Sequence, residues 1–123
     1  MAKAKSQQHE ERITMEIVVD AYDSIERAMG WYSYLEDVMK FPFTATCHVQ
    51  RATSPLKKGD EVEILELADA DTCEQEIFVM IRWDVKDQLA VPLAQLTPAS
   101  DTDPATRQAI EDWHYWVEQG YEF

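Results

Sequence analysis

A chain of 123 residues with 46% hydrophobic content, four Trp, five Tyr and four Phe is too aromatic for a polymer kept unfolded by its charge, and long enough to bury one core. Its formal net charge of −13 argues against a reader of nucleic acid, which sets clustered Lys and Arg against phosphates. The N-terminal stretch lacks the apolar core of a secretory signal, and no apolar run approaches the roughly 18 residues of a membrane span, so a cytoplasmic location is expected.

Residues 1–9 read as a flexible tail ahead of a single acidic domain over 10–123. Ile13 and Ile17, with Ala21 beyond, keep helical spacing, although the Ile17-Val18-Val19 run also suits a strand. A firmer helix is expected from about Ser24 to Val38. Asp23 and Glu26 have the form of a capping box, and Ile25, Ala28, Met29, Tyr32, Leu35 and Met39 trace an apolar stripe. The Phe41-Pro42 step should keep the helix from continuing.

The period then changes. Phe43–Val49, Val62–Leu65, Ile77–Trp83 and Leu89–Leu93 read as short strands separated by turns at Ser54-Pro55, Lys58-Gly59-Asp60, Asp69–Thr72 and Asp84–Asp87. Glu61, Glu63 and Glu66 fill the gaps of the second strand and give it a wet acidic face. Pro92 marks an edge or a kink. A last helix should follow Asp103 as cap and Pro104 in its first turn, bury Ala109, Ile110, Trp113, Trp116 and Val117, and end at Gly120. The expected architecture is α+β: a small antiparallel SH3-like barrel or curled sheet, flanked by N-terminal helices and a C-terminal helix.

The charge is unevenly placed. Residues 1–59 hold eight acids and eight bases, whereas residues 60–123 hold sixteen acids against three bases, Arg82, Lys86 and Arg107. Such a surface repels itself and gathers cations, which suits a hard cation, a basic partner or plain solubility. The acids are densest at Glu66, Asp69, Asp71, Glu74 and Glu76. Calcium takes about 6–8 oxygen ligands from carboxylates, carbonyls and water, all of which a strand–loop–strand connection offers. An EF-hand loop begun at Asp69 fails, because Cys73, Glu74 and Met80 then occupy its fifth, sixth and twelfth places. The competing reading is a solvated face of two strands and their turn.

Glu36 and Asp37 form a second group at the end of the first firm helix. Negative charge there meets the negative end of the helix dipole, an arrangement more natural with a cation present. Ordinary surface acids beside Lys40 are the alternative. A third group, Glu111-Asp112, reads as a solvated helix face beside Trp113 and His114. His9, His48 and His114 follow no nucleophile or metal pattern, and Cys47 and Cys73 lack CxxC spacing, so they read as partly buried thiols. With glycine only at 30, 59 and 120 there is no phosphate-cradling loop, and the chain does not read as an enzyme.

The segments VDAY, GWYSYLED, FPFTATC, KKGDEVEI, FVMIRW, LAVPLAQL and AIEDWHYWVEQGYEF, taken together and in this order, resemble the small bacterial calcium-binding proteins of the CcbP type, best known from cyanobacteria. The resemblance runs from about Arg12 to Phe123, apart from the Asp101–Ala105 loop. It implies a cytoplasmic acidic protein of compact α/β arrangement that binds calcium without EF-hands and buffers it. The intact YLED motif puts Asp37 first among the implied ligands, followed by Glu36, and then Asp69, Asp71 and Glu74 from the acidic loop. The rival function is an acidic module that docks on a basic protein partner.

Overall fold

The computed structural model describes residues 7–19, 21 and 23–121. Helix α1 (Gln7–Arg12) runs into a π-helical turn (Ile13–Ile17), and α2 (Ser24–Val38) follows. Five strands come next: β1 (Phe43–Cys47), β2 (Glu61–Leu67), β3 (Phe78–Arg82), β4 (Gln88–Pro92) and β5 (Leu96–Pro98), with a 3-10 turn (Leu93–Gln95) between the last two. Helix α3 (Pro104–Glu118) closes the described chain.

The strands form one antiparallel sheet in the order β4-β3-β2-β1-β5, and among the described residues no pairing joins β4 to β5. The sheet is therefore open, so of the two anticipated forms the closed barrel is not the one adopted. The fold class itself, α+β with helices around a small antiparallel sheet, is as expected. Residues 7–9, expected in the tail, already belong to α1. The rest of that tail, residues 1–6, and Asp20 within the anticipated first helix lie outside the described residues.

Local chemistry explains where the helices begin and stop. Asp23 accepts a bond from the Glu26 amide at 2.8 Å, which satisfies a free donor of the first turn of α2. Asp103 does the same for Thr106 at 3.1 Å, with Pro104 in the first turn of α3. Gly120 follows α3 with φ of +77°, a conformation that glycine adopts without steric penalty.

The core lies between the sheet and the helices. Trp31, wholly buried on α2, meets the edges of Trp113 and Trp116 on α3 at ring separations of 5.0 and 5.6 Å. This contact fixes which side of α2 faces inward. Met29 is two residues from Trp31, about 200° around the helix, so it points to solvent with Ile25 instead of joining the core. The anticipated stripe is thus split, with Leu35 and Met39 buried and Ile25 and Met29 exposed. On α3, Val117 is likewise partly exposed. Asp112, by contrast, lies in the interior, contrary to the expected solvated face. Asp112 is 0% exposed and ion-paired to Arg12.

Gly30 brings α2 close to the π turn. A Cβ at this position would stand 2.5 Å from the Ile17 carbonyl oxygen. The far end of α2 is tied to α3 by the Lys40 amide, which donates to the Thr106 hydroxyl at 2.9 Å. Both attachments set the orientation of Glu36 and Asp37.

Candidate metal centre

Helix α2 ends at Val38 because Met39 turns to extended geometry, with its amide bonded to the Leu35 carbonyl at 2.9 Å. Glu36 and Asp37 occupy this last turn, both exposed. Neighbouring helical residues point about 100° apart. Glu36 borders a cleft of 400 Å³ shared with Tyr32, Phe41, Glu66, Leu67 and Asp69. Asp37 belongs to a shallower recess on the other flank of the helix, with Glu16, Gly30 and Tyr34, which Glu36 also reaches.

Strand β2 supplies the opposite wall of the cleft. Strict alternation would place Glu66 on the side opposite to Glu61 and Glu63. The β2–β3 register shifts between Ile64 and Glu66, however, so Ile64 and Leu67 are buried while Glu66 remains exposed. A bulge of this kind re-aims a side chain, and here it turns Glu66 toward α2. The cleft wall is fixed by the Tyr32 hydroxyl, which donates to the Ala68 carbonyl at 2.9 Å.

Asp69 starts the loop after β2. Its carboxylate accepts the Thr72 amide at 2.8 Å, and its carbonyl accepts the Cys73 amide at 3.2 Å. The side-chain and backbone bonds from Thr72 hold the Asp69 carboxyl below its ordinary pKa. An ionised carboxylate has about four acceptor sites, so these bonds orient Asp69 without exhausting it. The Tyr32 phenol shows the field of the cleft. Burial raises its pKa most, and the negative charges of Glu36, Asp69 and Glu66 raise it further.

Two of the five expected ligands, Glu36 and Asp69, are therefore brought to one cleft. Asp37 is on a different flank beside Glu16. Asp71 and Glu74 lie on the loop's other side, along a groove formed with Ile25 and Met29. Glu66 and Glu16 join the arrangement without having been singled out as ligands. The break in alternation at Ile64-Leu65, just before Glu66, is the sequence signal that could have pointed to the bulge.

The donors of the cleft are oxygens. Cys73 is turned inward, its sulfur accepting the Phe78 amide at 3.3 Å, and burial pushes its thiol pKa up. Carboxylates with nearby carbonyls suit calcium far better than zinc or copper. The acids border the cleft rather than converge on one point: among the described residues no three His, Cys, Asp or Glu side chains form a metal-holding group. Calcium tolerates such a site, because its coordination is flexible and water completes it.

No helix among the described residues is long and apolar enough to cross a membrane. No curated protein sequence matches the chain. A family model described as calcium binding matches residues 11–117. The crystal structure of Anabaena CcbP superposes with a TM-score of 0.87 at 37% identity, covering 100% of both chains. A calcium-binding protein in its calcium-binding form superposes with a TM-score of 0.84 at 36% identity, over 97% of this chain and 96% of that one. The match along most of the sequence and the shared fold together make this chain a member of the CcbP calcium-binding family.

Proposed function

We propose that this protein binds calcium in the cleft between the end of α2 and the end of β2, and serves as a calcium buffer. The observation that carries the reading is that Glu36, Glu66 and Asp69, from three separate segments, border one cleft around Tyr32. The three carboxylates supply anionic oxygens, and carbonyls and water supply the rest. Asp37 with Glu16 forms a second, shallower acidic recess for calcium. Asp71 and Glu74, on the Asp69 loop, add to the negative field. The loop departs from the EF-hand pattern at Cys73, Glu74 and Met80. Two buried free cysteines are consistent with a reducing cytoplasm.

Calcium titration calorimetry of the metal-stripped protein at ~0.15 M salt tests this, with magnesium as control. Saturable calcium binding with a weak magnesium response is expected, because magnesium demands near-octahedral geometry and sheds water reluctantly. Equal, unsaturating heats from both ions would leave only a diffuse counterion cloud and overturn the proposal.

A further inference from the structure

The apolar residues of α2 that miss the core do not lie on featureless surface. Ile25 is 70% exposed and Met29 63% exposed, one helical turn apart. With Ala28 they form one wall of a groove of 480 Å³, and the 70–75 loop forms the other. Asp71 and Glu74 stand on the loop side, and neither forms an ion pair with a described residue. An apolar wall facing an acidic one selects by two chemistries at once. Apolar side chains gain by leaving water in the groove, while Lys or Arg beside them meets the carboxylates.

We propose that this groove docks a basic amphipathic segment of another protein, with apolar side chains against Ile25 and Met29 and cationic ones against Asp71 and Glu74. A helical segment fits this description, because its apolar and basic residues occupy adjacent faces. The net charge of −13 speeds encounter with such a partner, and the groove confers the selectivity that charge alone lacks. Met29 suits the role through its flexible, polarizable side chain. The inference does not depend on calcium occupying the cleft.

The test uses the full chain and a fluorescent synthetic helix of about 15 residues, Leu and Lys at helical spacing. A scrambled peptide of the same composition is the control. The ordered peptide should bind roughly tenfold tighter than the scrambled one. Ile25→Ser with Met29→Ser should remove that preference, and circular dichroism should show the fold retained, since both side chains are exposed. Asp71→Asn with Glu74→Gln should weaken binding and flatten its salt dependence. Equal binding of the two peptides, or an unchanged preference after the serine substitutions, would overturn the proposal. So would a dimer in sedimentation that the serine substitutions dissolve, because the groove would then belong to a second copy of the chain.

Discussion

The Arg12 guanidinium grips both oxygens of Asp112, its Nε 3.0 Å from Oδ2 and its Nη2 2.9 Å from Oδ1, although 100 residues separate the two in sequence. His9 bonds the same carboxylate and stacks on Tyr115 at 4.9 Å. The ion pair thus fastens the first described helix to the last. Arg12→Ala should destabilise the fold by roughly 3–5 kcal/mol, because it leaves a buried carboxylate with too little compensation. Urea denaturation measures this, and a change below about 1 kcal/mol would show that Asp112 finds other support.

Gly30 makes the opposite of the usual helix prediction. Replacing a helical glycine by alanine normally stabilises by about 1 kcal/mol through propensity. Here the new Cβ would meet the Ile17 carbonyl oxygen at 2.5 Å, and backbone must move to make room. Gly30→Ala should therefore lower Tm. An increase would mean that the π turn yields easily.

His114 gives the stability a pH dependence. Its Nε2 lies 2.7 Å from the Leu96 carbonyl oxygen, and since a carbonyl only accepts, the neutral ring carries its proton on Nε2. Burial lowers the His114 pKa against the opposing influence of the Leu96 bond. The unfolded chain then takes up a proton more readily than the folded one. This contribution is complete above the unfolded pKa of about 6.5 and is lost as pH falls through the lower folded value. Tm should drop from about pH 7 to pH 5.5 in calcium-free buffer, and less steeply in His114→Gln. Parallel curves for the two proteins would refute the assignment.

Glu66→Gln should move two quantities in opposite directions. Without calcium, removing one of several like charges around the cleft should raise Tm slightly. With calcium, affinity should fall roughly tenfold, equivalent to ~1.4 kcal/mol. The parent protein should gain about 2.7 kcal/mol at 100 times its Kd, and the variant correspondingly less at that same calcium concentration. A calcium response identical to that of the parent would remove Glu66 from the site.

Elements governed by neighbouring residues were legible from sequence. Asp23 with Glu26, and Asp103 with Pro104, marked both long helices, since caps act over three residues. Features that depend on distant partners were not. Asp112, next to Glu111, looked like a surface acid, because its partner Arg12 is remote in sequence. Ile25 and Met29 share the apolar period of α2, and only the seating of Trp31 against α3 decides that they face solvent. The 3-10 turn and β5 were hidden inside one apolar run, where Gln95 is buried and donates to the Val49 carbonyl at 3.0 Å. In the candidate site, the dipole argument selected Glu36 and the acidic loop selected Asp69. It could not tell that Asp37 turns to the other flank, or that a bulge delivers Glu66.

The sheet ends on a proline at each side. The Phe78 carbonyl accepts the Ala68 amide and the Phe78 amide donates to the Cys73 sulfur, so neither group faces β4. Pro92 is paired opposite Phe78 and directs its backbone nitrogen outward. On the other side, Thr44 accepts the Ala99 amide and Gln95 the His48 amide, which leaves Pro98, opposite Ala45, in the same outward position. Pro92 is buried, whereas Pro98 is partly exposed, so a stray strand approaching the β5 border meets a ring where it needs a donor. Once cations neutralise the acids that otherwise keep copies apart, the Pro98 ring remains at the β5 border as a guard against edge-to-edge aggregation that does not depend on charge.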